Sequence, residues 1–340
     1  MPRRAEPSEL LSDPRSFRQR LHRWFRREGR DLPWRRTRDP YAILVSEFML
    51  QQTQVAAVIP YYERWLERFP DFATLARAQE AEVLHAWQGL GYYARARNLH
   101  AAGKHMVEKF GGELPADVAE IAQLPGVGRY TAGAIASFAF DLPAPIVDAN
   151  IARVLARLTN YQEPINCAAG QSHLWTTAAA LTPPRGARVY NSAVMELGAL
   201  VCLPRQPRCG ECPVRAHCRA ENPALLPIKK ARRKTVFLTE RHAFHIRRDQ
   251  ILLEQSRVRW RGMWILPRLS AAPPRAPLFQ LDFPFTHHRV TLAVFDRMGR
   301  SRPNENQKWF PLAALTELPV PTPHRRALGE LLPAACLTKC

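Results

Sequence analysis

The chain has 340 residues, 46% of them hydrophobic, and its 49 Lys and Arg residues against 30 Asp and Glu give a formal net charge of +19. This length predicts two or three domains, and the basic surplus favours a polyanionic partner, although a ribosome-associated or simply basic protein fits the charge equally well. No apolar run reaches the roughly 18 residues of a membrane span, and residues 1–20 lack the apolar core of a signal peptide, so we expect a cytoplasmic protein without membrane contact.

Apolar residues recur at helical spacing through most of the first 220 residues. The clearest start signal is Asp39-Pro40, an N-capping residue followed by proline at the first helical position, and the predicted helix extends through Glu47 to Gln54. Further helical periods cover Glu80–Gln88, Tyr93–Phe110, Val118–Leu124, Thr131–Phe140, Ile151–Leu158, Gln171–Leu181 and Ala187–Leu200.

The character of the sequence changes after residue 220. Residues 221–235 contain prolines and the basic run that begins at Lys229-Lys230, which predicts a solvated linker near a charged partner. Alternating patterns then predict strands at Val236–Ile246, Gln250–Glu254 and Val290–Phe295. We therefore expect a mostly α N-terminal region of residues 1–220 and a smaller α/β domain over residues 236–340.

Four of the seven cysteines lie within 17 positions of one another, namely Cys202, Cys209, Cys212 and Cys218. Four thiolates on one short loop suit either a [4Fe–4S] cluster or Zn²⁺. Zinc sites usually have two close pairs of ligands, and only Cys209 and Cys212 form one here, so the spacing favours the cluster. Either group would be structural, because no ligand position is left open.

Leu124-Pro125-Gly126-Val127-Gly128-Arg129-Tyr130-Thr131 lies between two predicted helices. Glycines allow backbone N–H groups to approach an anion closely, and a helix N-terminus favours negative charge. The segment is typical of a hairpin that holds a DNA phosphate without reading sequence, although an ordinary helix–helix turn has the same pattern.

Two carboxylates are candidates for acid–base chemistry. Glu47 lies on an otherwise apolar helical segment, where burial would raise its pKa as a general acid requires, but a solvent-facing glutamate is the commoner case. Asp148 precedes the helix at Ile151 and is either a plain N-cap or the second carboxylate of a pair that cleaves a glycosidic bond.

A family resemblance is carried by a series of motifs in order along residues 30–220. They are Leu32-Pro33-Trp34, Ser46 to Ala56 with its Gln-Gln-Thr-Gln string, Gly89-Leu90-Gly91-Tyr92-Tyr93-Ala94-Arg95-Ala96-Arg97-Asn98-Leu99, the glycine hairpin, Asp148-Ala149-Asn150 and the four cysteines. In this order and spacing the sequence resembles the MutY-type adenine DNA glycosylases, members of the helix-hairpin-helix, iron–sulfur superfamily that includes endonuclease III.

The resemblance implies a six-helix domain at about 40–145 and a cluster domain from about 1–39 and 146–220, with one [4Fe–4S] cluster. It implies hydrolytic removal of adenine mispaired with 8-oxoguanine or G in double-stranded DNA, by base flipping, in a monomeric, nucleoid-associated enzyme. The residues to which it assigns roles are Glu47 as the acid, Asp148 as the carboxylate facing the sugar, Tyr130 and Asn150 as their polar support, Gln51 and Tyr92 as wedges beside the lesion, and Gly126, Gly128 and Thr131 as phosphate contacts.

The C-terminal domain resembles the lesion-recognition domain of the same family more thinly. Gly262 to Pro267 is similar to a segment of its Nudix-like fold, and Phe285-Thr286-His287 occupies the place of a Phe-Ser-His loop that contacts 8-oxoguanine. The acidic helix that would bind catalytic Mg²⁺ is absent from the sequence, so we expect no pyrophosphatase activity.

Two other functions compete with this interpretation. An endonuclease-III-type lyase would need a hairpin lysine for a Schiff base, whereas this chain has Tyr130 there and no lysine between Lys109 and Lys229. A non-catalytic DNA-binding protein that carries a cluster would not need Glu47 and Asp148.

Overall fold

The computed structural model describes residue 11 and residues 13–231, 235–271, 273–296 and 302–332. The chain divides into two compact units. The first, here called the helical unit, contains the residues up to 73 together with 102–231, and the second, the sheet unit, contains 74–101 together with the residues that follow 231. Cys336 and Cys340 lie outside the described residues.

Eleven helices precede residue 201 in the described part of the chain. Their bounds are α1 Pro14–Glu28, α2 Pro40–Leu50, α3 Val55–Arg68, α4 Phe72–Arg77, α5 Glu80–Ala86, α6 Ala94–Phe110, α7 Val118–Ile121, α8 Arg129–Phe140, α9 Ala149–Leu158, α10 Ala168–Leu181 and α11 Ala187–Leu200. The prediction of a mostly helical N-terminal region is confirmed.

Helix α2 begins as the sequence predicts. The Asp39 carboxylate accepts hydrogen bonds from the backbone N–H groups of Tyr41 (3.0 Å) and Ala42 (3.3 Å), and Pro40 occupies the first helical position. Every residue from Tyr41 to Met49 is buried, so α2 is surrounded by protein on all sides rather than amphipathic. It packs against α8, while α11 packs against α1 and α9.

The predicted continuation of α2 to Gln54 is wrong. The helix ends at Leu50 and a turn follows, in which Gln52 adopts a positive φ of 57° that no α-helix contains. A new helix, α3, then begins at Val55. Apolar residues recur at helical spacing on both sides of the turn, so their periodicity alone does not mark the end of α2.

Within the described residues, the sheet unit contains seven strands, the helix α12, Thr322–Leu331, and the earlier helix α5. The strands are β1 Val236–Phe244, β2 Ile246–Arg247, β3 Gln250–Gln255, β4 Trp264–Ile265, β5 Phe279–Phe285, β6 His288–Asp296 and β7 Gln307–Pro311. The expected α/β character of the C-terminal region is confirmed.

These strands form two sheets. In one, β6 is central, parallel to β1 and antiparallel to β5, with Phe285 opposite His288 at the tight turn that joins β5 to β6. In the other, β3 pairs antiparallel with β2, β4 and β7. Buried residues from β3 and β6, with Ala327 and Leu328 of α12, form the core of this unit.

Residues 74–101 are the part of the chain whose partners the sequence did not indicate. The ring of His85 lies 3.0 Å from the carbonyl oxygen of Thr316, and Arg97 donates to the carbonyl of Arg261 at 2.8 Å. Both contacts lie within the sheet unit. The boundaries expected near residues 220 and 236 follow the change from helices to strands along the chain and stay a prediction.

Candidate functional site

Glu47 lies in the last half of α2 and is only 4% exposed. It lines a small cavity of about 50 Å³, and the cavity wall also includes Trp34, Arg35, Phe138, Ser192 and Met195. The alternative of a solvent-facing glutamate is therefore wrong. A cavity of this size holds a few waters at most.

The ionisation of Glu47 is shifted by its surroundings. Burial chiefly, together with the negative charge of Asp148, raises the pKa of Glu47 to about 7, although a hydrogen bond that the Tyr130 hydroxyl donates to the carboxylate opposes the shift. Burial and the two carboxylates likewise raise the pKa of Tyr130 well above its ordinary value, so this hydroxyl keeps its proton. A buried carboxylic acid that is half protonated near neutral pH is suited to general acid catalysis.

Asp148 fills the N-cap role, one of the two that the sequence left open. It is the N-cap of α9, where its carboxylate accepts a hydrogen bond from the Ile151 N–H at 2.7 Å. Burial nevertheless raises its pKa, although the cap hydrogen bonds and Arg153 oppose the shift. The start of α9 therefore fixes the position of a carboxylate whose negative charge acts on Glu47 and raises the pKa of that group.

Tyr130 is placed by the glycine hairpin. The turn between α7 and α8 uses a positive φ of 77° at Gly126, a conformation that favours glycine, and Gly128 is the N-cap of α8. Tyr130 follows in the first turn of the helix. Thr131 is buried, so its hydroxyl does not lie on the surface that the hairpin presents.

The sequence did not single out a buried ion-pair group in the helical unit. The carboxylate of Glu196, fully buried on α11, accepts from the Arg30 side chain (2.7 and 3.0 Å) and from Arg35 (2.7 Å). Burial raises the pKa of Glu196, but the hydrogen bonds from Arg30 and Arg35 outweigh it and lower the pKa to about 2. No short motif marks these three residues, because Glu196 lies more than 160 positions from both arginines.

Asn150 and Arg153 connect the start of α9 to the cysteine segment. The Asn150 amide oxygen accepts from Arg153 at 2.9 Å, and the same guanidinium donates to the carbonyl of Gly198 at 2.6 Å and to that of Cys202 at 2.7 Å. The Asn150 side chain is therefore engaged with Arg153, while its backbone N–H contributes to the cap at Asp148.

The four clustered cysteines line one cavity of the helical unit, together with apolar residues of α9 and α11. All four are free thiols, and so is Cys167, which lies outside this cavity. Arg157, 1% exposed, donates to Cys202 Sγ at 3.2 Å and to the carbonyl oxygens of Leu203 (2.8 Å) and Pro204 (3.0 Å). The cysteine segment is thus held by a buried guanidinium.

The four cysteines of this cavity are the kind of donor set that a metal centre uses. Burial chiefly, with smaller contributions from the neighbouring thiols, raises the pKa of Cys212 to about 11. A bound metal cation would reverse this shift, because a thiol that coordinates a metal is deprotonated. Within the described residues, no group of three or more Cys, His, Asp or Glu side chains is arranged to hold a metal ion. Four cysteine thiols that line one cavity fit the ligand count of either a Zn²⁺ ion or a [4Fe–4S] cluster.

The residues expected to contact DNA are distributed over both units. Gln51 ends α2 in the helical unit. Tyr92, in the sheet unit, is 44% exposed and has a positive φ of 49°. Phe285 lies at the end of β5, and Thr286 (φ 55°) and His287 form the exposed turn that follows.

Comparisons with known proteins agree with this geometry. Residues 45–170, which contain Glu47, Tyr130 and Asp148, match the family described as HhH-GPD superfamily base excision DNA repair protein. A thermostable thymine-DNA glycosylase structure superposes with a TM-score of 0.55 at 30% identity, covering 61% of this chain and 95% of that one. The fold and the site thus define a protein of the helix-hairpin-helix base-excision repair class.

Sequence relatives narrow this class. The adenine DNA glycosylase of Mycolicibacterium smegmatis is 44% identical over 214 residues, which cover 63% of this chain and 68% of that protein. The adenine DNA glycosylase of Rattus norvegicus is 46% identical over 219 residues, 62% of this chain. The chain belongs to the adenine DNA glycosylase family.

The aligned region does not extend over the whole length of the rat relative. It spans 42% of the rat protein, so the chain corresponds to less than half of that relative.

Across the part of the chain that the structure describes, no helix is both long and apolar enough to cross a membrane.

Proposed function

We propose that the chain is a monofunctional DNA glycosylase that hydrolyses the N-glycosidic bond of adenine opposite 8-oxoguanine or G in double-stranded DNA. The observation that carries the proposal is the buried acid Glu47, whose pKa is raised to about 7 beside a second carboxylate, Asp148. This pair supplies the two charges that depurination requires, a proton for the leaving base and a negative charge for the sugar cation. The family name of the relatives agrees with this chemistry.

The reaction begins with extrusion of adenine, because the glycosidic bond is inaccessible in the stacked duplex. Glu47 donates its proton to a ring nitrogen of the extruded adenine, and the C–N bond breaks with its electron pair passing to the base. Asp148 stabilises the resulting oxocarbenium sugar until water adds to it. The Tyr130 hydroxyl hydrogen-bonds the Glu47 carboxylate and holds it in place.

DNA binding in this proposal uses the hairpin of Gly126 and Gly128 for one phosphate. The buried Thr131 supports the start of α8 and does not contact the phosphate through its hydroxyl. Gln51 and Tyr92 wedge beside the lesion, and Phe285, Thr286 and His287 contact the orphaned purine. The net charge of +19 supports a DNA partner, since each neutralised phosphate releases a counterion. We propose a monomer acting without membrane contact in the cytoplasm.

The decisive experiment is single-turnover release of adenine from duplexes with A opposite 8-oxoguanine, G or C. Glu47→Gln is nearly isosteric but cannot supply the proton, so it should bind lesion DNA while release falls at least a hundredfold, the usual value of one general acid. Glu163→Gln removes an exposed carboxylate of the same unit and serves as the control. Release by Glu47→Gln at the rate of the control would reject the assignment.

We also propose that Cys202, Cys209, Cys212 and Cys218 hold one [4Fe–4S] cluster. With all four ligands occupied, the cluster would supply structural stability to the segment rather than a step of the reaction. Purified protein should then contain iron and sulfide near four per chain, by the stoichiometry of such clusters. Cys212→Ser should lose the iron, whereas Cys167→Ser should keep it. Zinc in place of iron in the native protein would contradict the proposal.

A further inference from the structure

The segment between α5 and α6 that comprises residues 89–92, here called the tyrosine loop, has an unusual backbone. Three of its four residues have a positive φ, namely Gly89 (103°), Gly91 (70°) and Tyr92 (49°). Glycine adopts such values readily, but an aromatic residue rarely does. The chain turns sharply here and leaves Tyr92 44% exposed. A conformation of this kind persists where the surrounding structure fixes it.

One buried arginine holds the tyrosine loop from the first turn of α6. The guanidinium of Arg95, a residue only 6% exposed, donates to the carbonyl oxygens of Leu90 (3.0 Å) and Gly91 (3.1 Å). The indole N–H of Trp87 donates to the same Gly91 carbonyl at 3.1 Å. The backbone N–H of Arg95 also donates to the Tyr92 carbonyl at 2.9 Å. Three consecutive carbonyls of the loop are therefore held in place.

The same guanidinium contacts the two aromatic rings that flank the loop. Its Cζ atom lies 5.3 Å from the ring centroid of Trp87, which is fully buried, and 5.5 Å from that of Tyr92. Both distances are within the roughly 6 Å over which a cation is attracted to a ring face. Burial lowers the pKa of Arg95 to about 10, so the guanidinium stays charged at neutral pH. Arg95 thus connects the exposed ring of Tyr92 to a rigid, buried tryptophan.

These contacts depend on the shape of the guanidinium. It is planar, presents its donors in a fixed fork and stacks on aromatic faces, whereas the ammonium of lysine is a compact charge on a flexible stem. Arg95→Lys would therefore keep the charge and lose the simultaneous contact with two carbonyls and two rings.

The exposed ring of Tyr92 is suited to entering a stack of bases. Apolar side chains that enter a duplex partially unstack one base step, and extrusion of a base requires such unstacking. A ring that is held in one orientation before it inserts loses less conformational entropy on binding. The contacts of Arg95 supply this order before DNA arrives.

We propose that Arg95 is the positioning residue of the DNA wedge, because it holds the tyrosine loop so that Tyr92 enters the base stack already oriented. The proposal rests on the proposed glycosylase function, in which Tyr92 lies beside the lesion, but it concerns a step that precedes the chemistry at Glu47. Arg95 itself touches neither the bases nor the sugar and acts through Tyr92.

A double-mutant cycle separates this role from a general contribution to folding. The dissociation constant is measured on a duplex that carries a tetrahydrofuran abasic analogue opposite G. Tyr92→Ala should weaken binding about tenfold, and Arg95→Met about fivefold, within the range for one base–aromatic contact. The double variant should bind as Tyr92→Ala alone does, because residues that act through one contact are not additive. Arg95→Lys should resemble Arg95→Met.

Two matched pairs of variants control for charge and backbone strain. Arg97→Lys alters a half-buried arginine of the same helix that donates to the Arg261 carbonyl at 2.8 Å, outside the tyrosine loop, and should bind as wild type does. Gly91→Ala places a methyl group in open space at a φ of 70°, so it strains the loop without a clash and should weaken binding. Gly111→Ala, equally open at a φ of 63°, introduces the same strain elsewhere and should not.

Fluorescence of 2-aminopurine placed beside the orphan guanine of this duplex reports unstacking directly. Wild-type protein should raise the fluorescence, and folded Arg95→Met or Arg95→Lys should raise it less. Full additivity in the double-mutant cycle, or an equal rise in fluorescence for wild type and both Arg95 variants, would overturn the proposal. These readouts use DNA that cannot be cleaved, so they stand apart from base release, whose absence in the wild type would reject the glycosylase function instead.

Discussion

Replacing Glu47 by glutamine should stabilise the protein above neutral pH while removing the proposed activity. The pKa of Glu47 is about 7 in the folded protein and near 4.5 when the side chain is in water. The folded state therefore binds an extra proton between these two values, and the glutamate costs stability as the pH rises through them. Glutamine carries no such charge and keeps an oxygen for the Tyr130 hydroxyl.

The magnitude follows from the size of the shift. Each pKa unit corresponds to about 1.4 kcal/mol, so the stabilisation by Glu47→Gln should grow from about 1 kcal/mol at pH 5 to about 3 kcal/mol at pH 8. For a unit of about 200 residues, a difference of this size moves the melting temperature by roughly 4–8 °C.

Thermal unfolding of wild type and variant at pH 5 and pH 8 measures the effect. Glu196→Gln provides a matched control, a second buried glutamate whose pKa is instead lowered to about 2 by its arginines. It should lose about 3–5 kcal/mol at both pH values, because Arg30 and Arg35 are left without their carboxylate. A gain by Glu47→Gln that is equal at pH 5 and pH 8, or a loss at pH 8, would refute the reasoning.

Three further predictions concern the proposed chemistry and the cysteine segment. Because Glu47 must be protonated to act, single-turnover base release should decline as pH rises through about 7, approaching tenfold per unit, and a profile flat to pH 9 would exclude this acid. The product should be an abasic site in an unbroken strand, since Tyr130 replaces the lyase lysine; a borohydride-trapped covalent adduct would show otherwise. Arg157→Met should leave the buried carbonyl of Leu226 without its donor, costing about 1–3 kcal/mol, and should lower the iron bound per chain as measured by metal analysis, because the contacts to Leu203 and Pro204 are lost as well.

The sequence predicted those helices whose ends and faces are determined by residues close together in the chain. The start of α2 at Asp39-Pro40 and the bounds of α11, Ala187–Leu200, are as expected, because capping residues and periodic apolar residues act within a few positions. Helices α1 and α3 and the strands β5 and β7 were not predicted. Pro60 lies within α3 and Pro284 within β5, and proline disfavours a helix interior and a strand, so local preferences do not mark these two elements.

The residues of the candidate site also fall into those that a short motif predicted and those that it did not. Glu47, Asp148 and the four cysteines were found because each belongs to a short motif with a specific chemistry. The Glu196 group was not found, because it depends on residues that meet only in the folded chain. A lone glutamate in the apolar run of α11 carries no local signal of its partners.

The sheet unit is built from two segments that are far apart in the chain, and this affects the order in which the protein folds on the ribosome. Residues 74–101 leave the ribosome early, but the strands with which they pack begin only at residue 236 and continue to about 332. At 5–20 residues per second, the interval from residue 101 to residue 332 lasts roughly 12–46 s. During that time Leu84, which is buried beside Gly262 in the finished protein, lacks that neighbour. A chaperone that binds apolar segments would shield residues 74–101 during this interval.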